Sequence, residues 1–142
     1  MATLRQLVEN KGGEVWSVSP DDSVYKALEE MARRNGGCVL VMEGGKIVGI
    51  FTERDYARNV ILKGKSSPKT AVREVMTEKV ICVRPEQTVE EAMAVMSDKR
   101  VRHLPVMEDG KLLGLLSIGD LVGSIISEQK FTIEQLQDFI RA

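Results

Sequence analysis

Apolar positions recur along this chain in one rhythm that is written twice. In "VYKALEEMA", Val24, Ala27, Leu28 and Met31 fall three and four residues apart, the spacing of a helix with one buried face. Val89, Ala92, Met93 and Met96 repeat that spacing, and Thr88 with Glu91 ahead of them form a capping box. Two short apolar runs follow each helix, "CVLVM" and "KIVGIF", then "HLPVM" and "KLLGLL", with the length and composition of strands. Each pair is joined by a glycine turn of the hairpin kind, "EGG" and "EDG". A short β-rich piece precedes each helix ("VWSV", "VICV"), separated from it by a proline turn. A last helix is predicted from Thr52 in the first copy and from Ser117 in the second. The predicted order is β-α-β-β-α, twice. The fold class is α+β, of α/β-sandwich type, with helices on one face of each sheet.

The two copies are an internal repeat. A shift of 65 residues superimposes Val15–Arg58 on Val80–Gly123 without a gap, and thirteen of the forty-four pairs are identical, among them Pro20 with Pro85, Gly49 with Gly114 and Asp55 with Asp120. The expected organisation is an N-terminal helix or arm over 1–12, a first repeat over 13–64, a linker over 65–72, a second repeat over 73–128 and a C-terminal helix over 129–142. "TLRQLVE" reads as the first of these helices. "FTIEQLQDFIRA" reads as the last, with Thr132 and Gln135 as its capping box and Ile133, Leu136, Phe139 and Ile140 as its apolar stripe. An amphipathic terminal helix on so small a unit must pack on its own module or on another chain, and a contribution to a homodimer is expected.

Composition narrows the function. The chain has 142 residues and a net charge of −1 with acids and bases interspersed, so a broad basic face for nucleic acid is not expected. No apolar run approaches the roughly 18 residues that span a bilayer. The start "MATLRQLVENKGG" shows no export pattern, and a cytoplasmic location is expected. Cys38 and Cys82 form neither a CxxC pair nor a framework, and both read as reduced, buried thiols.

The residues that could carry chemistry gather at the ends of the hairpins. "GIFTERDY" and "GLLSIGDL" share one grammar: glycine, two apolar residues, a hydroxyl, two spacers and an aspartate. As a helix cap, Thr52 or Ser117 accepts an N–H one turn on, and Asp55 or Asp120 favours the positive end of the helix. As a grip, the helix N-terminus and hydroxyl suit a phosphate while the carboxylate accepts ribose hydroxyls. The glycine then lets another group approach the backbone. Both readings stand. His103 is the sole histidine; without a second His or Cys at ligand spacing, no metal site is expected. Lys99, Arg100 and Arg102 near it, Arg33 and Arg34 in the first copy, and Arg54 and Arg58 after the first motif are either solvated helix ends or phosphate ligands. Trp16 and Tyr56 fit core packing better than base stacking. No nucleophile triad, Walker loop or GxGxxG appears, so an enzyme is not expected, nor any catalytic cofactor.

The tandem copies, each ending in Gly-apolar-apolar-Thr/Ser-x-x-Asp, resemble the CBS domain pair (the Bateman module named after cystathionine β-synthase) over about Val15–Ser127. "TERDYAR", "RHLPV" and "LSIGDLV" look closest to a small bacterial group of stand-alone CBS-pair proteins, related to a plant organellar form. The resemblance implies a non-catalytic regulatory module with pseudo-twofold symmetry between repeats, commonly dimeric, that binds adenosine nucleotides: AMP first, with ADP, ATP or NAD(H) as alternatives. It implies one site of Thr52, Arg54 and Asp55 with Ile81, Cys82, Val83, Arg102, His103, Leu104 and Pro105. A second would use Ser117, Ile118 and Asp120 with Trp16, Ser17, Val18, Gly37, Cys38 and Val39. The first is favoured, because Gly37-Cys38-Val39-Leu40 offers neither the cation nor the proline of Arg102-His103-Leu104-Pro105. The alternatives are a ligand-free interaction module acting through the C-terminal helix, and a redox-linked regulator.

Overall fold

The computed structural model describes residues 2–141. Met1 and Ala142, the outer ends of the predicted N-terminal arm and C-terminal helix, lie outside the described residues. The chain forms two compact units. One is residues 15–80; in the other, the chain up to Glu14 joins the chain from Ile81 onward.

In the unit of residues 15–80, β1 (Ser17–Val18) runs parallel to β2 (Cys38–Glu43), which pairs antiparallel with β3 (Lys46–Thr52). Gly44 and Gly45 join β2 to β3 with φ of 59° and 78°, the left-handed pair that a two-residue hairpin turn requires. Between β1 and β2 lies α2 (Val24–Arg34), opened by Ser23, whose hydroxyl accepts from Lys26 N, and closed by Asn35 in the left-handed conformation. Its Val24, Ala27 and Met31 pack with Val39, Val41 and Phe51 into the core. After β3 the chain turns through α3 (Glu53–Asp55) into a π-helical stretch, Tyr56–Ile61.

The other unit repeats this plan with α4 (Val89–Lys99), β4 (His103–Glu108) and β5 (Lys111–Ser117). Asp109 and Gly110 make the hairpin turn at φ of 50° and 77°. The expected Thr88–Glu91 capping box is present. The first strand, however, shrinks to a single bridge between Val83 and Val106. Proline is the reason. In the first repeat Leu40 N donates to Trp16 O at 3.2 Å, whereas the equivalent Pro105 has no N–H to give Ile81.

Two expectations are corrected here. The C-terminal segment is not a separate helix with a Thr132–Gln135 cap: α5 runs unbroken from Ile118 to Arg141. No glycine or proline interrupts Ser124–Arg141, so nothing stops the helix that Ser117 starts. Residues 127–141 are all exposed, including Phe131, Ile133, Leu136, Phe139 and Ile140. The second correction concerns "TLRQLVE". It is α1 (Leu4–Lys11), and it belongs to the second repeat's unit rather than standing apart.

This placement exposes a kinship that the 65-residue shift conceals. Leu4 N donates to Gln87 O (2.9 Å), Arg5 N to Pro85 O (3.0 Å), and Val89 N to Ala2 O (3.2 Å). In the other unit Val72 N donates to Asp22 O (2.9 Å), Arg73 N to Pro20 O (3.0 Å), and Val24 N to Thr70 O (2.9 Å). "LRQLV" and "VREVM" are therefore the same part, 68 residues apart. Leu4 and Val72 are fully buried. Arg5 pairs with Glu86 and Glu108 as Arg73 pairs with Asp21 and Glu43.

The same part explains the shared glycine. A Cβ on Gly114 would lie 2.8 Å from Val8 Cγ1, and one on Gly49 would lie 2.5 Å from Met76 Sδ and 3.0 Å from Thr77 O. Neither glycine has a positive φ; both are needed for space. Gly114→Ala is expected to destabilise the chain by about 1–3 kcal/mol through overpacking against stiff Val8. Val8→Ala in the same chain should recover part of that loss. Melting curves of the two single variants and the double variant check this; simple additivity would count against the contact.

Candidate functional site

At the end of each hairpin the chain passes from strand to helix over one hydroxyl and one carboxylate. At the first turn, Thr52 Oγ1 accepts from Asp55 N (3.1 Å), and Asp55 Oδ2 accepts from Thr52 N (3.0 Å) and from the Thr52 hydroxyl (3.1 Å). At the second, Ser117 Oγ accepts from Asp120 N (3.2 Å) and Asp120 Oδ2 accepts from Ser117 N (2.8 Å). Both turns are capping boxes with aspartate at the third helical position. The cap is thus a fact of both turns, and it also fixes the rotamer of each carboxylate.

Each carboxylate takes a further donor from outside its turn, and the two donors differ. Asp55 is only 8% exposed, and its Oδ1 accepts from the hydroxyl of Thr77 at 2.9 Å. Asp120 Oδ2 accepts from Lys11 Nζ at 2.7 Å, while the same ammonium donates to Leu115 O at 2.9 Å. Partial burial by itself raises the Asp120 pKa. The Lys11 ammonium and the Ser117 donors outweigh it and hold the carboxyl below the ordinary aspartate value. Neither Thr77 nor Lys11 figures among the residues expected from the sequence. Their signal is the "LRQLVENK"/"VREVMTEK" kinship, three residues out of register with the main repeat.

The other expected residues fall in three neighbouring stretches of each unit. In the first, Leu40 N donates to Trp16 O, which seats Trp16, Ser17 and Val18 beside β2; Cys38 lies opposite Thr52, with Val39 next to it. Gly37 O accepts from Glu53 N at 3.1 Å, bringing Gly37 to the helix start beside Arg54 and Asp55. In the second, Val83 N donates to Pro105 O (3.0 Å), so Ile81, Cys82 and Val83 run along β4 by Leu104 and Pro105. His103 lies opposite Ser117, and Arg102 O accepts from Ile118 N at 2.9 Å. Each unit therefore holds one half of each expected residue set.

Three side chains depart from expectation or qualify it. Trp16 is covered by the Arg34 guanidinium, 4.3 Å from the ring centroid, which occupies that face with a cation–π contact. Cys38 is buried as expected, but Cys82 is exposed. It alternates with buried Val83 as exposed Ser17 does with Val18, and desolvation of its sulfur still pushes the thiol up, away from the thiolate. Among the described residues no group of three His, Cys, Asp or Glu could hold a metal, and no helix is long and apolar enough to cross a membrane.

Two units of β-α-β-β-α, each ending in a capped hydroxyl–carboxylate turn, define a tandem regulatory module. The chain belongs to the CBS domain family, matching it over residues 10–61 and 72–127. CBS domains act as regulatory and sensor modules and are not catalytic. The chain is 38% identical, over 98% of its length and 72% of the relative's, to the mitochondrial CBS domain-containing protein CBSX3 of Arabidopsis thaliana. A putative signal-transduction protein with CBS domains from Burkholderia ambifaria shares 47% identity and superimposes with a TM-score of 0.87, covering 90% of this chain and 96% of that one. The CBS domain pair of MJ0100, solved with 5′-methylthioadenosine and S-adenosyl-L-methionine, has the same fold at 19% identity and a TM-score of 0.78, over 90% and 98%. Further relatives lie in Bacillus subtilis and Methanopyrus kandleri, so the likeness extends across bacteria, archaea and plants.

The Lys11–Asp120 pair sets a sign for pH dependence. A carboxyl held below its unfolded value contributes stability that is full above that value and lost as pH falls through the lowered midpoint. Carboxyl titration by NMR should place the Asp120 midpoint below the ordinary aspartate value, and Lys11→Met should move it upward. An unchanged midpoint would mean the ion pair does not persist in solution.

Proposed function

We propose that this chain is a regulatory module that binds an adenosine nucleotide, AMP first with ADP, ATP or NAD(H) as alternatives, and passes its occupancy to a partner protein in the cytosol. The observation that carries this reading is the doubled turn in which a hydroxyl and a carboxylate are locked at a helix start. A carboxylate of fixed rotamer is preorganised to accept the two hydroxyls of a ribose, and the N–H groups beside it suit a phosphate. That a CBS pair of the same fold holds two adenosine compounds supports the choice of ligand class.

The favoured residues are Thr52, Arg54 and Asp55 with Ile81, Cys82, Val83, Arg102, His103, Leu104 and Pro105. At Asp55 every side-chain partner is a neutral hydroxyl, so ribose hydroxyls replace like with like. Arg54 and Arg102 are exposed cations on the first repeat's turn and before β4, and Gly37 stands where Arg102 stands. The second set, Ser117, Ile118 and Asp120 with Trp16, Ser17, Val18, Gly37, Cys38 and Val39, is the weaker. At 100-fold over its Kd, AMP should add about 2.7 kcal/mol to the unfolding free energy. Asp55→Asn should weaken AMP at least tenfold by calorimetry. A melt indifferent to every adenosine compound would overturn the reading.

A second reading rests on α5. Residues 127–141 expose an apolar stripe on four turns of helix, and an isolated helix of that length is marginal in water. We propose that this stripe pairs with a second copy of the chain. Removing residues 131–142 should convert a dimer to a monomer in sedimentation velocity; an unchanged sedimentation coefficient would refute it. The raised thiol of Cys82 argues against the redox-linked alternative.

A further inference from the structure

The two turns look equivalent in sequence, yet the donor that reaches each carboxylate from outside the turn is chemically different. Asp55 receives a neutral hydroxyl from Thr77. Asp120 receives an ammonium, from a residue that lies more than a hundred positions earlier and reaches it from the end of α1. The Lys11 head is anchored at two points, Asp120 Oδ2 and Leu115 O, which fixes it over the turn rather than leaving it in solvent. Both partners remain partly open to water, with 41% of the Lys11 side chain and 29% of Asp120 exposed.

We propose that Lys11 is the residue that sets the ligand specificity of the Ser117–Asp120 turn, by occupying the carboxylate that would otherwise accept a ribose diol. This rests on the nucleotide reading above. A hydroxyl bound to a carboxylate can be exchanged for a ribose hydroxyl at little net cost. An ammonium cannot, because the exchange separates an ion pair and returns a neutral donor in its place. Lys11 acts through Asp120 and is a positioning residue. It makes one turn receptive to neutral diols and the other resistant, although both carry the Thr/Ser-x-x-Asp motif.

The test is an AMP titration followed by the amide resonances of Ser117 and Ile118, which report the second turn directly, with Thr52 and Glu53 reporting the first. Removing the cation by Lys11→Met should tighten AMP at Ser117 and Ile118 about fivefold, the worth of a partly exposed ion pair, and leave the first turn unchanged. Lys11→Gln, whose amide can still donate to Leu115 O, should do the same and guards against a folding defect in the methionine variant. Lys11→Arg should restore the wild-type affinity, and Lys11→Met should have no effect in an Asp120→Asn background. If AMP perturbs the second turn but Lys11→Met and Lys11→Gln leave its affinity unchanged or weaker, the role given to Lys11 is wrong and the nucleotide reading survives. If AMP perturbs neither turn in any of the chains, the nucleotide reading itself falls and takes this inference with it.

Discussion

Each repeat depends on a short segment, after it in the first unit and before it in the second, that clips onto its proline turn by three backbone hydrogen bonds. The first N–H groups of a helix have no partner within it, and here Val24 and Val89 give theirs to Thr70 O and Ala2 O. The return bonds, from Val72 and Leu4 to the turn, pull a fully buried side chain over the open edge of each core. Everything distinctive about the turns follows from that attachment. It sets Met76 and Val8 against Gly49 and Gly114, Arg73 and Arg5 against pairs of carboxylates, and Thr77 and Lys11 against Asp55 and Asp120. The ion pairs of Arg5 and Arg73 are exposed and add little stability themselves, but they repeat in both units and mark the register of the clip.

Much of the architecture was legible because its signals are local. A helical spacing of apolar residues, a Thr-x-x-Glu box and a two-residue glycine turn each specify structure within ten residues, and the two copies corroborate one another. What the sequence hid was mostly long-range. The clip segments match at a shift of 68 rather than 65, so a gapless comparison cannot join them, and α1 looked like an appendage. The shared glycine suggested a ligand's close approach, whereas it makes room for a side chain from the clip. Pro105 stands among the expected ligand residues; its missing N–H also shortens the strand beside it. Thr132 has the local grammar of a cap but stands inside a helix already started at Ser117. Cys82 is exposed because it alternates with buried Val83, as Ser17 does with Val18, an outward-facing position that thiol statistics cannot anticipate.

The turns themselves show how one motif serves two ends. Capping satisfies the helix terminus, and in doing so it immobilises the carboxylate, so stability and preorganisation come from the same hydrogen bonds. The difference in the outer donor to each carboxylate, Thr77 or Lys11, is carried by residues outside the motif. A comparison confined to Thr/Ser-x-x-Asp would call them equal, while their electrostatic surroundings are those of a neutral and a cationic partner.

The clip also has a consequence for how the chain comes to be folded. The unit of residues 15–80 is continuous and contains its own clip, so it is complete as soon as Val80 has been made. The other unit is interrupted: α1 is made before residues 15–80, and its binding surface at Pro85–Thr88 appears only after that whole intervening unit. Leu4, Leu7 and Val8 must therefore wait, apolar and uncovered, through the synthesis and folding of their neighbour. Closing so long a loop adds little to its equilibrium cost, which grows only logarithmically with length, but it does slow assembly. The α1 segment is thus among the last parts of the two units to be secured, and the second unit is the one exposed to misassembly in the interval.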